Sequence, residues 1–166
     1  TSHGIEDKMD FDKYAEQLKR LPQKYHPISV CLHYHDVNKG VYKIFMRAGF
    51  NVITVGHPYH PDFIKRLYEI IKSFKYLTSN EIGSYTFYGP EAGLPFFLYG
   101  NEPEFYNYGD PYVELGSYTS FRKTTMYQTT QKLFSSPTKT VTPDQKQWVE
   151  QEHGVYDTIS RTQLAF

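Results

Sequence analysis

Leu77-Thr78-Ser79-Asn80-Glu81-Ile82-Gly83-Ser84, running on through Gly93-Leu94-Pro95 into Phe96-Phe97-Leu98-Tyr99, is the stretch on which the reading of this chain turns. Tyr76-Leu77-Thr78 is a short apolar run that predicts a strand, and it ends in small hydrogen-bonding residues. A helix is predicted over 83–92, then a glycine and proline turn, then a strand over 96–99. The same order appears upstream. Ile28 to Tyr34 predicts a strand; Tyr42, Phe45 and Met46 predict a helix ending at Gly49. Asn51 to Val55 predicts another strand, and Phe63, Leu67, Ile70, Ile71 and Phe74 fall at helical spacing. Strands alternating with helices over short connections predict an α/β fold: a three-layer parallel sheet with helices on both faces.

Outward from that centre the signals thin. Phe11, Tyr14, Leu18 and Leu21 predict an amphipathic helix over 10–21, stopped by Pro22. From Gly100 to Gly116 the chain is polar, aromatic and punctuated by glycine and proline, as in a surface loop or lid. Two more helices are predicted, near 117–134 and 143–153, the second opened by Thr142-Pro143-Asp144. No internal repeat is evident.

A chain of 166 residues fits one domain with its own core. Its 18 lysines and arginines balance 18 aspartates and glutamates, so no overall field draws it to nucleic acid or an anionic membrane. Sixteen tyrosines suit a wet cleft or a sugar-binding face, and they suit aromatic core filling equally. Cys31, within Ile28-Ser29-Val30-Cys31-Leu32, reads as a small core residue in a reducing compartment. No apolar run approaches the ~18 residues of a membrane span, so a cytoplasmic location is expected. The first residue is Thr1, not methionine, which fits a processed chain or a piece of a longer one. No heptad pattern points to a coiled coil, and the oligomeric state stays open.

The turn after the 76–78 strand carries the most chemistry. A helix N-terminus has unpaired amide donors and a partial positive charge, which attract phosphate, and Gly83 admits a ligand to the backbone. In an open parallel sheet the turn lies at the carboxyl edge, where ligands bind. Ser79 and Asn80 could equally serve only to cap the helix.

Ser79-Asn80, Ile82-Gly83-Ser84, Tyr88, Glu91-Ala92-Gly93-Leu94-Pro95 and Phe96-Phe97 together resemble the donor-binding part of GT-B glycosyltransferases and the related sugar-nucleotide epimerases. The resemblance is closest to enzymes of bacterial surface polysaccharide biosynthesis, and it is strong over about a fifth of the chain. It implies a Rossmann-like domain that corresponds to the C-terminal, nucleotide-sugar-binding half of a two-domain enzyme. It implies transfer of a sugar from a nucleotide-activated donor to a glycan or glycolipid acceptor, with no obligatory cofactor or metal. Ser79, Asn80, Gly83 and Ser84 would then hold the donor phosphates, and Glu91 the ribose. A non-catalytic nucleotide or nucleotide-sugar binding module of polysaccharide assembly is the alternative. Two features depart from the family: one domain where two are usual, and Pro90 inside the predicted helix.

Gly56-His57-Pro58-Tyr59-His60-Pro61-Asp62 follows a predicted strand and falls on the same expected edge. His57 could donate to a phosphate or hold a base, or the segment could be a plain strand-to-helix turn. His33, His35 and Asp36 follow the first strand and with His57 or His60 could form a metal site, but the sequence lacks the cysteine or His-Glu spacing of zinc, and edge histidines facing solvent or ligand account for them as well. His3, near the chain start, is a weak candidate for a general base facing the acceptor, and a terminal tail accounts for it as well. Glu102 and Glu104, in the tyrosine-rich loop, could bind hydroxyls.

Overall fold

Consecutive side chains on a strand point to opposite faces, and Phe96 and Phe97 are both buried, at 1% and 2% exposure. The strand that carries them is therefore covered on both sides. A computed structural model describes residues 5–112 and 114–154. Its elements run β1 (Ile5–Lys8), α1 (Phe11–Lys19), a 3-10 turn (Gln23–Tyr25), β2 (Ser29–Cys31), α2 (Tyr34–Asn38), α3 (Tyr42–Arg47) and β3 (Asn51–Ile53). There follow α4 (Phe63–Lys72), β4 (Leu77–Ser79), α5 (Ser84–Glu91), β5 (Phe96–Leu98), β6 (Glu104–Asn107) and β7 (Gly116–Ser117). A second 3-10 turn (Ser120–Lys123), α6 (Thr125–Phe134) and α7 (Pro143–Glu152) complete the described chain.

The expected three-layer, Rossmann-like parallel sheet does not form. The described strands make three small sheets: an antiparallel β1-β6-β7 sheet and two separate parallel pairs, β2–β3 and β4–β5. Alternation of strand and helix correctly signals each local parallel pair, with Val30 beside Val52 and Thr78 beside Phe97. It says nothing of whether one pair joins the next. Here side chains meet where a backbone ladder would have run. The Tyr25 ring, just before β2, lies 5.0 Å from that of Tyr76, just before β4, and 5.2 Å from Phe97.

Two apolar clusters hold the elements together. Tyr14, Leu18, Val30, Phe45 and Phe97 form one, from α1, β2, α3 and one face of β5. Phe96, Phe134 and Val149 form the other, where α6 and α7 cover the opposite face with Leu77, Phe87 and Trp148 around them. The helices begin where their capping residues dictate. Asp10 accepts from the amide of Lys13, Thr124 from that of Tyr127, and Thr142 and Gln145 form a reciprocal capping box.

α5 runs through Pro90, which has no amide proton to offer the carbonyl one turn earlier. The helix closes one residue later in a Schellman motif: Leu94 N–H donates to Gly89 O, Gly93 N–H to Pro90 O, and Gly93 takes φ +81°. Gly89 permits close docking on β4, since a Cβ there would come within 2.6 Å of Leu77 Cδ1.

The segment expected as a loop over 100–116 contains β6, which pairs antiparallel with β1 from Ile5 opposite Asn107 to Lys8 opposite Glu104. Cys31 is exposed on β2 rather than buried, because alternation turns Val30 inward and its neighbour outward. Among the described residues no helix is long and apolar enough to cross a membrane.

Candidate functional site

The parallel pair β4–β5 opens at its carboxyl edge into a cavity of about 270 Å3. Asn80 and Glu81 enter it from the β4–α5 turn, Leu98 to Gly100 and Glu102 from the end of β5, and Tyr127, Gln131 and Ser135 from α6. The β5 side is tied to α1: Tyr99 Oη donates to Gln17 O at 3.1 Å, and the Asn101 amide to Gln17 Oε1 at 2.9 Å. Asn80 Nδ2 donates to Asn101 O at 2.8 Å, so this side chain joins the ends of β4 and β5. Gly100 lies against α1 with φ +108°, and a Cβ there would meet the Tyr14 ring at 2.4 Å.

Glu81 organises the wall. Its Oε1 accepts from its neighbour's amide, Ile82 N, at 2.8 Å and from Tyr127 Oη at 2.9 Å. Its Oε2 accepts from Arg122 Nη2 at 3.0 Å. Arg122 also donates to Pro103 O at 2.8 Å and pairs through Nη1 with Glu102 at 3.2 Å. Gln131 Nε2 donates to Glu102 at 3.3 Å. Burial pushes the Tyr127 hydroxyl well above the ordinary tyrosine value, and its hydrogen bond to Glu81 pushes it the same way. Burial works against the charge on Arg122, but the hydrogen bond to Glu81 and the Glu102 carboxylate outweigh it and raise its pKa. Arg122 Nε and Asn101 Oδ1 are buried without a hydrogen-bond partner.

The residues predicted from sequence fall in three places. Ser79, Asn80, Gly83 and Ser84 share the β4–α5 turn. Within it Ser79 Oγ accepts from the Glu81 amide at 3.3 Å, and Gly83 N–H donates to Thr86 Oγ1 at 3.2 Å. Ser84, at the first position of α5, is exposed. Space beside Gly83 is taken up by the Tyr85 ring, 2.7 Å from where a Cβ would stand. Glu91 lies at the far end of α5, about 10 Å along the axis from Ser84 at ~1.5 Å per residue. There it accepts from Tyr68 Oη and stands 3.6 Å from His153 Nδ1.

His57 lies beyond β3, on the other parallel pair. Its ring packs on Tyr34 at 4.6 Å and Tyr59 at 5.4 Å, and no hydrogen bond or ring contact links it to the Ser79 turn among the described residues. The His33 and His35 rings lie 5.1 Å apart, tilted at 41°. No group of three or more histidine, cysteine or acidic residues that could hold a metal exists among the described residues. His3 lies outside the described residues.

Arg122 and Tyr127 were invisible to sequence reasoning. Each meets Glu81 across more than forty residues, and neither stands in a motif whose spacing reports that meeting. Of the cavity residues, Asn80 was signalled by the turn after a predicted strand, and Glu102, an acid, by its place just after another. Compared with family models, with curated protein sequences and with solved structures, the chain shows no match.

Proposed function

We propose that the carboxyl edge of β4–β5 binds a nucleotide-activated sugar and that the chain takes part in transferring that sugar to a glycan or glycolipid acceptor. One observation supports the reading most: the parallel β4–α5–β5 unit opens at its strand ends into a cavity walled by carboxylates, tyrosines and a glutamine. Acceptor-rich walls of this kind suit a polyhydroxylated ligand, whose hydroxyls donate to Glu102 and the Tyr99 to Gly100 edge. In this reading the donor diphosphate lies at the opening of α5, where Ser84 is exposed and the helix dipole favours negative charge. Departure of the nucleoside diphosphate is then eased by that fixed dipole. The ring of Tyr85, 41% exposed, lies over Gly83, and its hydroxyl donates to Glu81 O at 3.1 Å.

Binding without chemistry is favoured by a separate observation. Both cavity carboxylates are already engaged, Glu81 by Arg122 and Tyr127 and Glu102 by Arg122 and Gln131. Among the described residues no histidine lines the cavity. A general base needs free reach to the proton it removes.

Thermal-shift titration against UDP, GDP, CDP, CMP and their sugar conjugates tests the shared premise, since a ligand of the folded state raises its stability by mass action. A concentration-dependent rise with one nucleotide sugar, weakened by Glu102→Ala, is expected. No rise with any of them overturns both readings. Release of nucleotide from the bound sugar nucleotide, with or without a glycan acceptor, then separates transferase from binding module.

A further inference from the structure

We propose that the carboxyl edge of the other parallel pair, β2–β3, is a second ligand site, in which Arg66 and His60 bind a phosphoryl-type oxyanion at the turn that begins at His57. The site is separate from the β4–β5 cavity, and the argument for it does not depend on the function proposed for that cavity.

The argument starts from the hydrogen-bonding capacity of one imidazole. His60 Nδ1 lies 3.1 Å from the Asp62 amide nitrogen, which can only donate. Nδ1 is therefore the acceptor, and the ring proton of the neutral form sits on Nε2. But Nε2 lies 3.3 Å from Arg66 Nη2, which also can only donate. Two donors thus converge on one point with no acceptor between them. An oxyanion placed beside both atoms accepts from each and removes the conflict, as guanidinium and imidazole donors do for phosphate elsewhere.

Arg66 is available for such a ligand. Among the described residues its guanidinium has no carboxylate within ion-pair distance, while Arg122 has two. It is exposed on the first turn of α4, and it lies over Gly56, whose Cβ position is 3.6 Å from Nη1. Gly56 has φ +94°, so the chain turns there directly beneath the guanidinium. The Asp62 carboxylate stands 3.9 Å from His60 Nδ1, while Arg66 meets the other ring nitrogen, Nε2.

His57 shares a tight turn with His60, whose amide donates to His57 O at 3.0 Å. His57 Nδ1 accepts from the Tyr59 amide at 3.2 Å, which leaves the proton on His57 Nε2 as a further donor. The His57 ring stands between Tyr34 and Tyr59, and Tyr59 is 90% exposed. An exposed tyrosine one residue before His60 offers a flat ring to a phosphorylated ligand such as a nucleoside monophosphate, and the donor set alone fits free phosphate.

The test uses the full chain, titrated with inorganic phosphate and separately with UMP, and followed by long-range 1H–15N spectra of the imidazoles. Saturable shifts at His60 and His57 are expected. Arg66→Gln and His60→Gln should each weaken binding tenfold or more, with unchanged thermal unfolding, because both side chains are exposed. Tighter binding of UMP than of phosphate assigns the base to the Tyr59 surface, and equal binding assigns the site to the phosphoryl group alone. The proposal is overturned if phosphate and UMP leave the imidazole signals unmoved. It is equally overturned if both variants bind like the native chain, or if the shifts fall on the amides of Ser84 to Thr86 instead.

Discussion

Glu81 and Tyr127 are 46 positions apart in sequence, and the Tyr127 hydroxyl donates to the Glu81 carboxylate at 2.9 Å in the wall of the β4–β5 cavity. Glu81 is 9% exposed and Tyr127 4%. This contact, with Arg122 on the other carboxylate oxygen, fastens α6 and the 3-10 turn before it to the β4–α5 turn.

Truncating either partner should therefore loosen that junction. Tyr127→Phe leaves the carboxylate with one donor fewer and is expected to cost about 1.5–3 kcal/mol. Glu81→Ala strips Arg122 and Tyr127 together and is expected to cost about 3 kcal/mol, with Glu102 left to balance part of the arginine charge. Urea unfolding of each variant reads the loss. A native midpoint for Glu81→Ala would show that the buried network holds nothing in place.

Gly100 and Gly109 give opposite expectations for the same substitution. Gly100→Ala places a methyl 2.4 Å from the buried Tyr14 ring at φ +108°, so strain and overpacking add, and about 2 kcal/mol or more should be lost. Gly109 has nothing within 4 Å of its Cβ position, and Gly109→Ala should stay within about 0.5 kcal/mol of the native chain. Thermal unfolding of the two variants side by side decides it; equal effects would mean that the β5 exit does not pack on α1 as described.

Alkaline pH should unfold the protein through its tyrosines. Burial raises Tyr14 and Tyr127, and it pushes Tyr68 up to about 12 together with the hydrogen bond to Glu91. A folded-state pKa above the unfolded one means the folded state holds protons that the unfolded chain releases. The stability from these groups is complete below pH 10, and it falls as pH rises through 10 toward each folded value. Absorbance at 295 nm with circular dichroism across pH 8 to 12 measures both. Solvent-exposed tyrosines ionise at about pH 10 with the fold intact; complete ionisation of all 16 tyrosines at about pH 10 without loss of structure would contradict the burial.

Acid should act on the β2–β3 edge. Burial, with His35 beside it, holds the His33 imidazole below its ordinary value, so the unfolded chain binds that proton more readily. Stability from this group is present above about pH 6.5 and declines as pH falls through that value toward the folded one. His33→Gln should flatten the decline in a series of melts between pH 7 and 5. An unaltered decline would assign it to other groups.

Most local structure was legible in the sequence. The spacing of Phe11, Tyr14 and Leu18 predicts α1, that of Phe63, Leu67 and Ile70 predicts α4, and Thr142-Pro143 predicts the start of α7; all three form. Each parallel pair was legible too, because a helix between two short apolar runs returns the chain in the same direction. β1 and β6 were not. Ile5-Glu6-Asp7-Lys8 and Glu104-Phe105-Tyr106-Asn107 are polar or mixed, and they become strands by pairing with each other across about a hundred residues.

The sequence by itself determined α1, α3, α4, α5 and α7 and the turn at 79–84, because each rests on side-chain spacing or capping within a few residues of backbone; it missed α2, and the helix expected near 117–134 begins only at Thr125. Only the tertiary structure decided that the two parallel pairs stay apart, with Tyr25 packed on Tyr76 and Phe97. It alone placed Arg122 and Tyr127 on Glu81 and left Arg66 facing His60. Sheet joining and charge pairing depend on which distant surfaces meet, and that is fixed by packing of whole elements, which no short window of sequence contains.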